Sequence, residues 1–256
     1  MSFVDVAGCR LEVATWGAGA TPLVLLHDGV GSITQWRELP ELLAERGDVT
    51  VVVYNRAGHG LSTPVPDGAW PLDWISREAG VLAGLLDELD LAHPVLVGHS
   101  DGGSIALLAA ARGQVDTPGV VALAPHSYVE DCCVAAIEAL RRDPRELRER
   151  LGRHHADPAA VVEAWSGAWT SPGFRSWDIR AALAEISVPA LVLQGSADEY
   201  GTEAMLWDTA AALGANAEAR LLPGVGHRIH REVPDVVVDA ILGFVGELEI
   251  GDRTHT

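Results

Sequence analysis

Short, wholly apolar runs alternate along this chain with longer segments whose apolar residues recur every three or four positions. The apolar runs are typical of strands buried on both faces, and the longer segments of amphipathic helices. Strands are predicted at 3–6, 11–16, 22–27, 49–54, 94–97, 120–124, 189–194 and 217–222, and helices at 34–46, 72–89, 104–111, 202–213 and 233–248. This alternation predicts an α/β fold with a mostly parallel sheet covered by helices on both faces.

Residues 127–186 interrupt the alternation, because they contain helical patterns but no strand-like run. We interpret this segment as a helical cap insertion between two strands of a core made of 1–126 and 187–256. Ligands of open α/β sheets bind at the carboxyl ends of the strands, so the cap is expected to cover that edge.

A G-x-S-x-G motif lies where the strand at 94–97 runs directly into a helix. Such a sharp turn needs very small residues two positions before and after its tip, and Gly98 and Gly102 meet that need. Ser100 is therefore a candidate nucleophile above a helix N-terminus. The alternative is a Gly-rich turn in which Ser100 only caps the helix.

A nucleophilic serine needs a base, and the base needs an acid that orients it. Asp198 follows the strand at 189–194, and His227 lies in a Gly-rich loop before the last helix. The order serine, acid, histidine fits this sheet topology. Glu199 is the alternative acid; His230, three residues after His227, is expected to be a surface residue.

Five segments together resemble the α/β-hydrolase superfamily over nearly the whole chain. This resemblance implies an eight-stranded, mostly parallel sheet with a helical cap. It also implies Asp198 as the acid, His227 as the base, and the backbone N–H groups of Gly29 and Asp101 as the oxyanion hole. The segments are Leu-His-Asp-Gly at 26–29, Asn-Arg-Ala-Gly-His-Gly-Leu-Ser at 55–62, Gly-His-Ser-Asp-Gly-Gly at 98–103, Gly-Ser-Ala-Asp at 195–198 and Gly-Val-Gly-His at 224–227.

This superfamily usually has His-Gly after the strand at 22–27, whereas this sequence has His27-Asp28. The Asp28 carboxylate would repel an anionic substrate, bind a donor group on the substrate, or simply face solvent. His126 ends a strand where the cap begins, so it is a candidate substrate contact; the alternative is a structural hydrogen bond. Trp165 and Trp169 are four residues apart on one helical face, so they are either pocket walls or cap core.

The charge, the cysteine content and the absence of certain motifs exclude several classes of partner and chemistry. The formal net charge is −18, and all 18 basic residues are arginine. Nucleic acid and anionic membranes are therefore poor partners, and lysine-based chemistry is excluded. Three cysteines, two of them adjacent, indicate no disulfide framework, and the start of the chain lacks a signal-peptide pattern, so a cytoplasmic location is expected. No metal-binding motif or nucleotide-binding loop is present, so no metal and no cofactor are predicted.

The predicted function is that of a serine hydrolase which cleaves a small or medium carboxylic ester through an acyl-enzyme. The same triad serves lactonases, thioesterases, C–C bond hydrolases and cofactor-free haloperoxidases or perhydrolases, and a slow-turnover ligand receptor also keeps it. Ser100 argues against epoxide hydrolases and haloalkane dehalogenases, which use aspartate. The expected partner is a small-molecule substrate, and the sequence leaves the oligomeric state open.

Overall fold

The computed structural model describes residues 1–64 and 70–248 and centres on an eight-stranded sheet. The strand order is β1-β2-β4-β3-β5-β6-β7-β8; β1 and β2 pair antiparallel, as do β2 and β4, and the other pairs are parallel. The expected mostly parallel, eight-stranded sheet is thus confirmed. The strands are β1 (Ser2–Val6), β2 (Cys9–Trp16), β3 (Thr21–Leu26), β4 (Val49–Tyr54), β5 (Val95–His99), β6 (Val120–Leu123), β7 (Ala190–Gly195) and β8 (Ala217–Leu222).

Both faces of the central strands are buried, which explains why their sequences have no polar side. In β3, Leu23 and Leu25 join one hydrophobic cluster, while Val24 and Leu26 join another on the opposite face. Successive side chains of a strand point to opposite faces, so an uninterrupted apolar run fills both clusters. The edge strand β8 is not fully buried at any position, and its sequence is correspondingly more polar.

Helices cover the sheet on both faces, as predicted. The helices are α1 (Leu39–Arg46), α2 (Trp74–Glu88), α3 (Asp101–Ala111), α4 (Asp131–Arg142), α5 (Arg145–Leu151), α6 (Pro158–Trp169), α7 (Arg180–Leu183), α8 (Glu203–Leu213), α9 (Ile229–Glu232) and α10 (Pro234–Glu247). Helices α1 and α10 pack with the cluster that holds Leu23, whereas α2 and α3 pack with the cluster that holds Val24.

The single helix predicted over 34–46 is wrong. The chain forms a 3-10 helix at Ile33–Trp36 and then breaks before α1 begins at Leu39. Arg37 causes the break, because its φ of 53° and ψ of −128° are not helical. The apolar periodicity continues across the break, since Trp36 and Leu39 are both buried in the same cluster.

The segment predicted to be a cap contains α4 to α7, and its apolar residues join the cluster on the α2–α3 face. Phe174 and Trp177 stack with an interplanar angle of 14°, and Trp169 contacts both rings edge-on. An isolated bridge between Tyr128 and Asp178 ties the two ends of the segment together. Over the described residues, no helix has both the length and the apolar character needed to cross a membrane.

Candidate active site

Ser100 occupies the tight turn between β5 and α3, with φ 54° and ψ −121°. A positive φ is uncommon for a residue with a Cβ atom, so the surrounding packing must hold it. A Cβ atom on Gly98 would overlap the Gly102 carbonyl, and one on Gly102 would overlap the Leu26 carbonyl. The two glycines therefore let strand and helix approach closely enough to form the turn.

The Ser100 hydroxyl makes no cap hydrogen bond to α3. Its Oγ lies 2.9 Å from Nε2 of His227 instead. Nδ1 of His227 lies 2.8 Å from Oδ2 and 3.0 Å from Oδ1 of Asp198. The three side chains follow β5, β7 and β8, whose carboxyl ends share one sheet edge. The structure thus brings Ser100, His227 and Asp198 into one hydrogen-bonded chain.

Glu199, the alternative acid, does not face the imidazole. Its carboxylate accepts a hydrogen bond of 3.3 Å from the backbone N–H of His227. Asp198 is held by the N–H groups of Tyr200 and Gly201, at 2.8 and 3.2 Å. These contacts leave Asp198 as the carboxylate that can orient the histidine.

The ionisation of the pair follows from its burial and its hydrogen bond. Burial lowers the pKa of His227, but the hydrogen bond and charge of Asp198 outweigh this effect and raise that pKa above 6.5 overall. Burial raises the pKa of Asp198, yet the hydrogen bond to His227 brings it below 3.8. The carboxylate is therefore charged at neutral pH, and it stabilises a protonated imidazole.

Two backbone N–H groups beside Ser100 are available to a ligand. Within residues 1–64 and 70–248, neither the Gly29 nor the Asp101 N–H donates a hydrogen bond to another residue. Asp101 is the first residue of α3, where N–H groups have no helical partner. Gly29 has no room for a side chain, since a Cβ atom there would overlap the indole of Trp165 and the Asp101 carboxyl group. Both groups stay predicted oxyanion donors.

The Asp101 side chain links the elbow to the segment predicted as a cap. The indole Nε1 of Trp169 lies 3.2 and 3.4 Å from its two carboxyl oxygens. Burial raises the pKa of Asp101 from 3.8 to about 7, and the charge of nearby Asp28 adds to the rise. Sequence reasoning missed this contact, because nothing in the pattern relates residue 101 to residue 169.

The Asp101→Asn variant should gain thermal stability relative to wild type as the pH rises. Asp101 ionises at about pH 7 in the folded protein but near 3.8 when exposed, so wild type loses stability between about pH 4 and 7. Asparagine can still accept the Trp169 hydrogen bond but never ionises. The Tm difference between variant and wild type should grow by roughly 10 °C between pH 4 and pH 8.

The matched control is Asp87→Asn, which alters an exposed carboxylate on α2. Its Tm difference from wild type should stay constant across the same pH range. An Asp101→Asn difference that is equally flat would contradict the raised pKa.

Ser100 opens into a cavity of about 230 Å³. His126, Trp165 and Trp169 all line it, as does Asp28, so the four predicted substrate contacts surround one space. The ring of His126 lies edge-on to Trp169, and burial, with the charge of His227, lowers the pKa of His126 to about 3. Among the described residues, Nδ1 of His126 has no hydrogen-bond partner. The other lining residues are Val30, Cys133, Ile137, Leu140, Leu147, Arg150, Glu199, Tyr200 and Arg228, together with Gly29, Ser100, Asp101 and His227.

The Asp28 carboxylate is held by the protein itself. Its Oδ1 accepts a hydrogen bond of 2.9 Å from the Val30 N–H, and Oδ2 lies 3.4 Å from Nδ1 of His99. Burial opposes its charge, but the His99 hydrogen bond and the charge of Arg231 hold its pKa well below the usual range. These contacts favour a role for Asp28 in shaping its loop. The alternative in which its carboxylate faces solvent is wrong, because the residue is buried.

The expected surface position of His230 is also wrong. Its side chain is buried and packs against Trp36 and His99, with ring centroids 4.8 and 4.5 Å away. His99 in turn lies 3.0 Å from the His227 carbonyl oxygen. The buried stack therefore supports the loop that carries His227. No sequence pattern indicated that a histidine three residues after His227 would be buried.

Among the described residues, no group of three or more His, Cys, Asp or Glu side chains is arranged to hold a metal ion. The cavity lining contains instead apolar side chains, two tryptophans and a few charged groups. This arrangement suits an organic substrate with an apolar part.

Comparison with known proteins assigns the family. The model of the alpha/beta hydrolase family matches residues 23–240, which include Ser100, Asp198 and His227. The chain belongs to the alpha/beta hydrolase family. The matched range begins in β3 and ends in α10, so it covers most of the sheet and its helices.

Two named relatives align with nearly the whole of this chain. One is the 2-(acetamidomethylene)succinate hydrolase of Mesorhizobium japonicum, 28% identical and aligned over 94% of each chain. Another is the esterase YbfF of Escherichia coli, 26% identical over 93% of this chain and 98% of the relative. Among solved structures, the enol-lactonase from Burkholderia xenovorans superposes with a TM-score of 0.76 and 22% identity, covering 96% of this chain and all of that chain. The last likeness supports the fold alone.

Proposed function

We propose that this protein is a serine hydrolase that cleaves a small or medium carboxylic ester-type substrate through an acyl-enzyme. The observation that carries the proposal is the hydrogen-bonded chain from Ser100 Oγ through His227 to Asp198. A serine hydroxyl becomes a useful nucleophile when a neighbouring imidazole can take its proton. The imidazole in turn needs a carboxylate that fixes its tautomer.

In the proposed reaction, Nε2 of His227 takes the proton of Ser100 as Oγ attacks the acyl carbon. The developing oxyanion accepts hydrogen bonds from the N–H groups of Gly29 and Asp101. His227 then gives its proton to the leaving oxygen, and the acyl group stays on Ser100. Water activated by the same imidazole attacks the acyl-enzyme, and the acid is released.

Substrate size is suggested by the cavity. Its volume of about 230 Å³ and its apolar side, which includes Ile137, Leu140 and Trp165, suit a short or medium acyl group. We therefore expect p-nitrophenyl butyrate to be cleaved with a higher kcat/KM than p-nitrophenyl dodecanoate.

Labelling with a fluorophosphonate probe tests the nucleophile directly. Wild type should gain the mass of one phosphonyl group, and peptide mapping should place it on Ser100. Ser100→Ala should gain none, whereas the control Ser76→Ala, a change on α2, should label like wild type. Absence of labelling in a folded sample, or a label on another residue, would overturn the proposal.

A further inference from the structure

The cavity beside Ser100 has a cationic border that the reaction described above does not use. Arg150 on α5 and Arg228, next to His227, both line the cavity, one from the predicted cap and one from the core. Apart from Arg150 and Arg228, the lining side chains are apolar, neutral or acidic. Two guanidinium groups therefore share the lining of this cavity with apolar side chains.

Neither guanidinium is neutralised by a carboxylate of the described residues. Within residues 1–64 and 70–248, Arg150 and Arg228 form no salt bridge, and neither side chain donates a hydrogen bond. Exposed arginines elsewhere, such as Arg112 and Arg142, also form no salt bridge within the described residues, but they do not line this cavity. A ligand in the cavity would therefore meet two guanidinium groups that no carboxylate of the described residues neutralises.

Further cations surround this border. Burial and then the charges of Arg228, Arg37 and Arg150 lower the pKa of Arg231 to about 10, so these arginines lie close to it. Arg231 donates hydrogen bonds to Gln35, which leaves Arg150 and Arg228 as the ones that face the cavity. Four arginines therefore lie within electrostatic range of this part of the cavity, although the protein as a whole is acidic.

The carboxyl groups that share the cavity are already engaged. Asp28 is held by the Val30 N–H and His99, and Glu199 accepts from the His227 N–H. Asp101, with a pKa of about 7, is neutral in a large fraction of molecules at neutral pH. Asp28 and Glu199 would nevertheless repel a dianion more strongly than a monoanion, which favours a carboxylate over a phosphate.

We propose that the substrate cleaved at Ser100 carries a free carboxylate, which Arg150 and Arg228 bind together at the border of the cavity. This inference rests on the serine hydrolase function proposed above. Guanidinium groups bind carboxylates through short, charge-assisted hydrogen bonds, and a carboxylate has two oxygens to offer. A carboxylate held in this way would also join α5 to the loop of His227 and close the cavity over the ester.

Two pairs of esters, each an anion and a neutral analogue of similar size, provide the test. The carboxylate lies on the acyl side in p-nitrophenyl hydrogen adipate, compared with p-nitrophenyl hexanoate. It lies on the leaving-group side in 4-acetoxybenzoate, compared with its methyl ester. In at least one pair we expect kcat/KM to be about tenfold or more higher for the anion, and this preference should fall as salt is added.

The variants Arg150→Gln and Arg228→Gln identify the groups responsible. At least one of them should reduce the anion preference, which is the ratio of kcat/KM for the anionic ester to that for the neutral ester, to below about threefold. Arg112→Gln removes the same charge from an exposed position at the end of α3 and should keep the preference. An anion preference that survives in both cavity variants, or no preference in either pair, would overturn the inference.

Binding without turnover separates this inference from the proposed function. Hexanoate and hexanamide have the same shape and differ by one negative charge, and tryptophan fluorescence, to which Trp165 and Trp169 on the cavity wall contribute, gives the signal. Wild type should bind hexanoate at least about tenfold more tightly than hexanamide, and Arg150→Gln or Arg228→Gln should lose this difference. Equal affinities would overturn the carboxylate site, whereas a protein that binds hexanoate selectively but is not labelled at Ser100 would overturn only the serine hydrolase.

Discussion

Replacing Asp198 by asparagine should lower kcat/KM for ester hydrolysis by about 10⁴-fold. Asp198 accepts the Nδ1–H of His227, which leaves Nε2 free to take the Ser100 proton. An asparagine amide can instead donate to Nδ1, and the proton then resides on Nε2. His227 would hold the same place but could no longer act as a base. Steady-state kinetics with p-nitrophenyl butyrate measure the loss.

The pH profile of Asp198→Asn distinguishes a lost orientation from a misfolded site. The hydrogen bond and charge of Asp198 raise the pKa of His227 above 6.5, so wild-type kcat/KM should fall as the pH drops below that pKa. Without the carboxylate the pKa falls, and the acidic limb of the residual activity should move to lower pH. A limb that stays in place would mean that Asp198 does not set the ionisation of the base.

The neighbouring carboxylate is the matched control. Glu199→Gln removes one charge at the next position, where the side chain is exposed and, within the described residues, accepts a hydrogen bond from the His227 backbone N–H alone. We expect its kcat/KM to stay within about fivefold of wild type. If Glu199→Gln suffered the large loss and Asp198→Asn did not, the assignment of the acid would be reversed.

Gly98→Ala is expected to damage both stability and activity. The added methyl group would overlap the Gly102 carbonyl, which belongs to the first turn of α3 and cannot rotate away. Overpacking against backbone should cost about 3 kcal/mol or more in the free energy of unfolding. Any relief that moves α3 also moves Ser100 away from His227, so kcat/KM should fall by at least about 100-fold. Urea unfolding and ester kinetics measure the two effects.

Gly243→Ala makes the same substitution at a site that has room for a methyl group. Gly243 lies within α10, and a Cβ atom there would meet nothing within 4 Å. Alanine is a better helix former than glycine, so this variant should be as stable as wild type or up to about 1 kcal/mol more stable. Equal stability of Gly98→Ala and Gly243→Ala would show that the close contact at the elbow is not needed.

The sequence alone predicted the mostly parallel sheet and the order of strands and helices along the chain. It also predicted that Ser100, Asp198 and His227 lie together at one edge of the sheet. Wholly apolar runs specify strands buried on both faces, because both sides of such a strand face a hydrophobic cluster. The G-x-S-x-G spacing specifies the elbow, because only residues without a Cβ atom fit where Gly98 and Gly102 lie. The positions of Asp198 and His227 followed because parallel strands bring their carboxyl ends to one edge.

Tertiary structure decided what the side chains between these elements contact. The burial of His230, the Trp169 hydrogen bond to Asp101, and the placement of Arg150 and Arg228 on one cavity each bring together residues far apart in sequence. No local pattern encodes such contacts, because helical periodicity gives the buried face of a helix but not its partner. Arg37 shows the same limit within one segment, since its positive φ breaks a pattern that predicts a continuous helix.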